Sequence, residues 1–300
     1  MATTIKSTQL DFDTIKSSLK DYLKSKSEFN DYDFEGSALS NILDVLAYNT
    51  HLNGLTANFA LNESFLNTSQ LRSSVVSHAE TLGYVPRSYT GSMASLNLKV
   101  EINSLTRPSS VELPKGTLFT TSIDNVSYTF RTLESYIGQD STPSQSIGTY
   151  NFQTSEGNYN ITVKEGTEKS KTFYVGEVED TQIYVIPDMT MDKSTLEIIV
   201  YDTADAEDGT AYTDLSKAVR ITADSTHFQV KEVPNGYYEV LFGDGLSTGK
   251  TPVAGNKIVM TYLSVKGTPA NGGSIFQTDA TINWDGNPNE IQITTFAESA

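Results

Sequence analysis

The sequence contains no cysteine, so a disulfide framework and a thiolate metal site are both excluded, and the redox compartment is left undetermined. Positive charge is scarce: 21 Lys and Arg stand against 37 Asp and Glu, a formal net charge of −16. Affinity for a phosphate backbone comes from clustered Lys and Arg, so DNA, RNA and anionic membrane surfaces are not expected partners. No stretch reaches membrane-spanning length, which argues against direct membrane insertion. The N-terminal residues MATTIKSTQLDFDTIKSSL lack a basic segment followed by an apolar one and do not read as a signal peptide.

Catalytic and ligand-binding patterns are missing as well. His51, His78 and His227 are far apart, and none belongs to an H-x-x-x-H pair, so unrelated imidazoles are expected rather than a metal site. The acidic run Asp202, Asp205, Glu207 and Asp208 precedes Gly209. In the register of an EF-hand it puts Ala204 and Ala206 at ligand positions and Leu215 where a bidentate Glu belongs, so it reads as a solvated acidic loop. There is no G-x-S-x-G elbow. A glycosidase pair stays conceivable because its carboxylate separation is spatial, yet no residue can be named for it. The expectation is a chain without catalytic residues, metal or cofactor.

Gly-Lys-Thr does occur, in VLFGDGLSTGKTPVAGN, but a phosphate loop needs glycine where Asp244 stands and a helix after it. Pro252, Gly255 and Asn256 follow instead, and then the strand-like KIVMTYLSV. Strand, glycine-rich connection and strand predict a hairpin.

What is present divides into two textures. In the first ninety residues, Phe12, Ile15, Leu19, Tyr22 and Leu23 have helical spacing behind an aspartate cap, and Lys16, Lys20 and Lys24 form a solvated stripe of the same helix. Ser37 is placed to cap a second helix carrying Leu39, Ile42, Leu43, Val45, Leu46, Leu52 and Leu55, with a break expected near Gly54 before Phe59, Leu61, Phe65 and Leu66. A third helix, TSQLRSSVVSHAETLG, is stopped by Gly83 and Pro86. From about Ser92 the period becomes two: Leu96, Leu98, Val100 and Ile102 share a face, and further short strands follow at TLFTTS, VSYTFRT, NYNITV, KTFYV, TQIYVI and TLEIIVYD. The polar IGQDSTPSQSIG reads as an exposed loop or a subdomain boundary. The fold class is therefore α+β: a helical segment over 1–90 and β-rich, mostly antiparallel modules over 91–300, with a subdivision near 140–160 left open.

The glycine-rich stretch has a second reading. From FQVKEVPNGYYEVLFGDG to TYLSVKGTPAN the chain resembles the baseplate-J-like family, through Phe242, Gly243, Asp244, Gly245, Gly249, Pro252, Gly255, Tyr262, Gly267 and Asn271, with Pro187 and Asp192 upstream. The segment from DYDFEGSALSNILDVLAYN to ETLGYVPRS is similar to the helical entry of baseplate wedge subunits of T-even-type contractile-tail phages. Such wedge proteins continue beyond the point where this chain ends in TTFAESA, so it reads as a fragment or a short variant.

The resemblance implies a structural virion protein of the tail baseplate, assembled in the host cytoplasm. It implies partnership with other wedge proteins, a dimer within each wedge, a ring between wedges, and passage of a shape change when the sheath contracts. Leu39, Leu43, Leu46, Leu52, Leu55, Phe59 and Phe65 are the candidate partner-helix interface, although intramolecular helix packing would use the same side chains. A bacterial contractile injection system would use a similar component. A glycan-binding or glycan-cleaving β-protein is the alternative of another class, with Trp284 the only tryptophan to stack a sugar.

Overall fold

The computed structural model describes residues 11–29, 34–84, 86–177, 182–233 and 236–300. The first ten residues and the turn expected at Asn30–Asp33 lie outside them. The chain divides into two compact units, Met1–Pro86 and Arg87–Ala300.

In the first unit, α1 (Phe12–Lys24) begins at Asp11, whose carboxylate accepts the Thr14 amide at 2.8 Å. Its apolar stripe of Phe12, Ile15, Leu19 and Leu23 is half-buried, whereas Tyr22 is exposed. Of the lysine stripe expected to be solvated, Lys24 is exposed, whereas Lys16 and Lys20 are half-buried and form ion pairs with Asp44 and Glu35. Helix α2 (Ala38–Glu63) runs unbroken through Gly54, contrary to the expected interruption. A lone glycine lowers helix propensity by only about 1 kcal/mol, which one position in 26 residues tolerates. Ser37 does not cap it through its side chain; the hydroxyl donates instead to the Phe34 carbonyl at 3.2 Å. Beyond α2, the Glu63 carboxylate accepts the Gln70 amide at 2.8 Å, and His78 Nε2 donates to the Glu63 carbonyl at 2.8 Å. These bonds fold α3 (Arg72–Thr81) back on the end of α2. Gly83, at φ +77°, ends α3 in the left-handed conformation that glycine adopts without strain.

The second unit holds two sheets. Strands β1 (Met93–Asn103), β2 (Ser110–Leu113), β3 (Leu118–Ile123), β4 (Val126–Thr132), β5 (Tyr136–Asp140), β6 (Ile147–Gln153) and β7 (Ile161–Glu165) form the first, in the order β2-β5-β6-β1-β7-β4-β3. The chain then leaves for the second sheet: β8 (Thr167–Tyr174), β9 (Tyr184–Ile186), β10 (Met191–Tyr201), β11 (Gly209–Asp214), β12 (His227–Val233), β13 (Tyr237–Phe242) and β14 (Lys257–Ser264). Their order is β8-β14-β10-β11-β12-β13-β9. Finally β15 (Thr281–Trp284) and β16 (Asn287–Phe296) return to the first sheet, β16 pairing with β1. Residues 167–265 are thus an insert within a host sheet. Among the described strands only β11 and β12 pair in parallel.

Each sheet has its own apolar core. In the host, Leu96, Leu98, Val100 and Ile102 all point inward, as their period predicts, and join Phe119, Phe130, Tyr150 and Phe152. The insert gathers Ile186, Met191, Ile198, Ile258 and Met260.

Two expectations need correction. Of the two readings of IGQDSTPSQSIG, the exposed loop holds, since Pro143–Ser146 are exposed at the tip of the β5–β6 hairpin inside the host sheet; the boundary does not, since the change of sheet falls at Gly166. Its polar turn is organised by the buried Arg107 guanidinium, which donates to Asp140 Oδ2 and to the Thr142 carbonyl, each at 2.8 Å. The hairpin expected between β13 and β14 does not exist either. β13 pairs with β12 and β9, and β14 with β10 and β8. The glycine-rich connection passes over three strands, because the partners that bury each strand come from elsewhere in the chain.

Candidate functional site

The candidate partner helix behaves as two faces. Leu43 is buried, so it is spent on packing inside its own unit and is withdrawn from the interface; Ala47 lies on the same face. Leu39 is half-buried, and Phe65 is exposed but lies in the turns beyond the helix end. The remaining candidates, Leu46, Leu52, Leu55 and Phe59, are all exposed by at least 41%.

Three of them belong to a sharper pattern. Val45, Tyr48, Leu52, Leu55 and Phe59 alternate spacings of three and four, the spacing by which one helix packs knobs into another. All five are exposed, opposite the face that carries Leu43 and Ala47. Val45, named on the helix, and Tyr48 were not among the interface candidates, which favoured Leu and Phe; the three-four rhythm was the signal that would have found them. Leu46 and Ile42 flank this row. Helix α2 spans about 39 Å at 1.5 Å per residue, so the row is long enough for a partner helix.

The family-marker loop is built from backbone. Asp244 Oδ1 accepts the amides of Leu246, Ser247 and Thr248 at 2.9, 2.7 and 2.8 Å. Those donors hold its carboxyl well below the ordinary carboxylate range. The position that denies a phosphate loop is therefore the one that folds this turn. A Cβ on Gly243 would lie 2.2 Å from the Gly249 carbonyl oxygen, and one on Gly249, at φ +115°, would lie 2.7 Å from that of Ser225. Gly245 takes φ +70° and Gly255 φ +90°, and Pro252 is buried between them. Phe242 stacks edge-on against Tyr184 and Tyr212, closing the insert's core beneath the loop. Lys250 is exposed, and its amide donates to the Ser225 carbonyl at 2.8 Å. Thr251 donates its hydroxyl to the Gly243 carbonyl.

The other marker positions lie at the border between host and insert. Ser92 of the host donates its hydroxyl to the Gly267 carbonyl at 3.1 Å and to the Asn271 side chain. Asp192 is buried against Lys164 at 2.6 Å. Tyr262 reaches Asp188, whose carboxyl burial alone would raise; hydrogen bonds from Lys169 and Thr190 lower it to about 2.

Other candidates stay dispersed. Among the described residues no group of three or more His, Asp or Glu is placed to hold a metal ion, and no helix is long and apolar enough to cross a membrane. The acidic loop from Asp202 to Asp208 is largely exposed. Trp284 is half-buried and packs against the host core before the Asp285–Gly286 turn.

Comparison with known proteins places a name beside this geometry. Residues 11–84 match the family described as baseplate wedge protein gp6-like, helical domain. The chain is also 29% identical to the baseplate wedge protein gp6 of Enterobacteria phage T4 over 309 residues. That alignment takes in 93% of this chain and 43% of the relative, so the chain spans less than half of the relative's length. The resemblance to wedge subunits read from the sequence is shown by both findings.

Proposed function

We propose that the chain is a structural component of a contractile phage-tail baseplate, acting as a wedge subunit in the virion. On this reading it assembles in the host cytoplasm with other wedge proteins, pairs with a second copy in each wedge, and joins a ring around the tail hub. It then passes on the rearrangement that triggers sheath contraction. It works by association and switching, without catalysis or cofactor.

The observation that carries the reading is the exposed three-four row from Val45 to Phe59, in the part of the chain that matches the wedge helical domain. Apolar side chains left in water on a long helix favour association, because each gains about 1.5–3 kcal/mol when fully buried. A partner helix supplying the complementary row would bury them together. The binding free energy is smaller than that sum, since association also costs entropy.

Co-expression with the neighbouring tail proteins tests the reading. A stable complex is expected, and Leu52→Asp combined with Phe59→Asp should dissolve it while leaving the β unit folded. A complex that survives both substitutions would overturn the assignment of this face. Binding or cleavage of host-surface polysaccharide by the purified chain alone would favour the glycan reading.

A further inference from the structure

The insert meets its host without a common apolar core. The two clusters of buried side chains are separate; apart from the buried Val265 side chain, which packs against Gly91 and Gly166, the border is crossed by ion pairs and hydrogen bonds. The centre of the border is an ion pair. Lys164, on the last host strand before the crossing, places Nζ 2.6 Å from Asp192 Oδ2, with the two side chains only 5% and 1% exposed. Asp192 is fully engaged: its Oδ2 also accepts the Gly91 amide at 3.1 Å, and its Oδ1 accepts the amide and hydroxyl of Ser194 at 3.0 and 2.7 Å. The pairing of β10 with β14 shifts register directly after this residue, between Asp192 and Glu197.

The chain crosses the border twice, and the crossings lie side by side. The outgoing one is Gly166, at φ +151°, where a Cβ would sit 3.1 Å from the Val265 side chain. The returning one is Lys266–Gly267, with Gly267 at φ +70° and the Lys266 amide bonded to Glu165 Oε2 at 3.0 Å. Away from these crossings the border holds a cleft of about 220 Å³ beside Thr132 and Thr195, spanned at its more exposed edge by ion pairs from Lys115 to Glu197 and from Arg131 to Glu168.

We propose that residues 167–265 swing as one body on the paired crossings at Gly166 and Lys266–Gly267, and that the Lys164–Asp192 ion pair is the latch that fixes their angle. Paired adjacent crossings permit rotation without breaking either core, which is the geometry of a hinge. A buried ion pair contributes little net stability but specifies geometry, and removing one partner strands a buried charge. The inference rests on contacts within the chain and stands whether or not the baseplate reading is correct.

Hydrogen exchange on the unmodified chain gives the first test. The amides of Gly91 and Lys193, which are bonded across the border to Asp192 and Ser88, should exchange at least about tenfold faster than those in the middle of β1 and β10, because opening the border leaves both cores intact. Equal rates at all these sites would overturn the proposal. Spin labels give the second test, and the absence of native cysteine makes their placement unique. With labels at Ser144→Cys in the host and Leu246→Cys in the insert, one narrow distance distribution is expected. Lys164→Met should broaden it and speed border exchange by roughly 100-fold. If that variant does not fold, Lys164→Met with Asp192→Leu removes both charges and should fold with the same broad distribution. An unchanged narrow distribution in a folded variant would overturn the latch.

Discussion

The helical unit and the β unit use apolar side chains in opposite ways. In the β unit, each sheet closes over its own core, with Leu96, Phe130 and Ile161 on one side of the border and Ile186, Met191 and Ile258 on the other, all fully enclosed. In the helical unit the buried apolar residues described are Phe34, Leu43, Ala47, Val76 and Ala79, while α2 alone exposes Val45, Tyr48, Leu52, Leu55 and Phe59. The β unit encloses its two cores, although single apolar residues such as Leu105 and Leu246 stay exposed; the helical unit leaves a continuous apolar row on one helix exposed. An exposed apolar row of this kind is informative where a scatter of single exposed residues would not be.

Four measurements would break or sharpen that contrast. The largest effect is expected from Phe130→Ala, which empties a fully buried site and should cost about 3–5 kcal/mol in denaturant unfolding of the β unit; a loss near zero would mean that the host core is not closed. Next comes Gly243→Ala. Its new methyl would press on the Gly249 carbonyl, and overpacking of this kind costs about 1–3 kcal/mol, read as a lower melting temperature.

A smaller effect belongs to Asp188→Asn. The native carboxyl is held down to about 2 in the folded chain, against an ordinary value of about 3.9. Its stabilisation is therefore complete above about pH 4 and lost as pH falls from there towards 2. The unmodified chain should lose stability more steeply over that window than the variant, in acid-unfolding curves followed by circular dichroism. The smallest effect is expected from Leu52→Ala in the isolated chain, within about 0.5 kcal/mol of zero. A loss as large as that of Phe130→Ala would erase the contrast between the two units.

Much of this was legible in the sequence because it is local. The stripe of α1 and the alternation of Leu96, Leu98, Val100 and Ile102 are written in periodicity, and the structure places them as the periods require. The short strand β11, GTAYTD, carries no such period, and the polar DTADAEDGTAYTD reads from sequence as an interruption of the β region. The hairpin expectation failed for a more general reason. Consecutive strands pair in most cases, but the neighbours of β13 are β12 and β9, and nothing in the connecting loop announces them. The Lys164–Asp192 pair was likewise invisible, since two ordinary charged residues on different sheets meet and become buried only once the two sheets are in place. Leu43 illustrates the same limit on a helix: an apolar list does not say which residues face inward until the packing of α1 is known.

The split of the host sheet also has a consequence in time. Its central strand β1 pairs with β16 near the chain's end, Leu98 opposite Ile293, whereas every strand of the insert lies in one continuous stretch. On a ribosome the insert can complete itself while its host still awaits its last two strands, and pairings so distant in sequence close slowly. Pulse-labelled refolding should accordingly find the amides of β10 and β14 protected before those that β1 shares with β16, so that the part interrupting the host is the first of the two to exist.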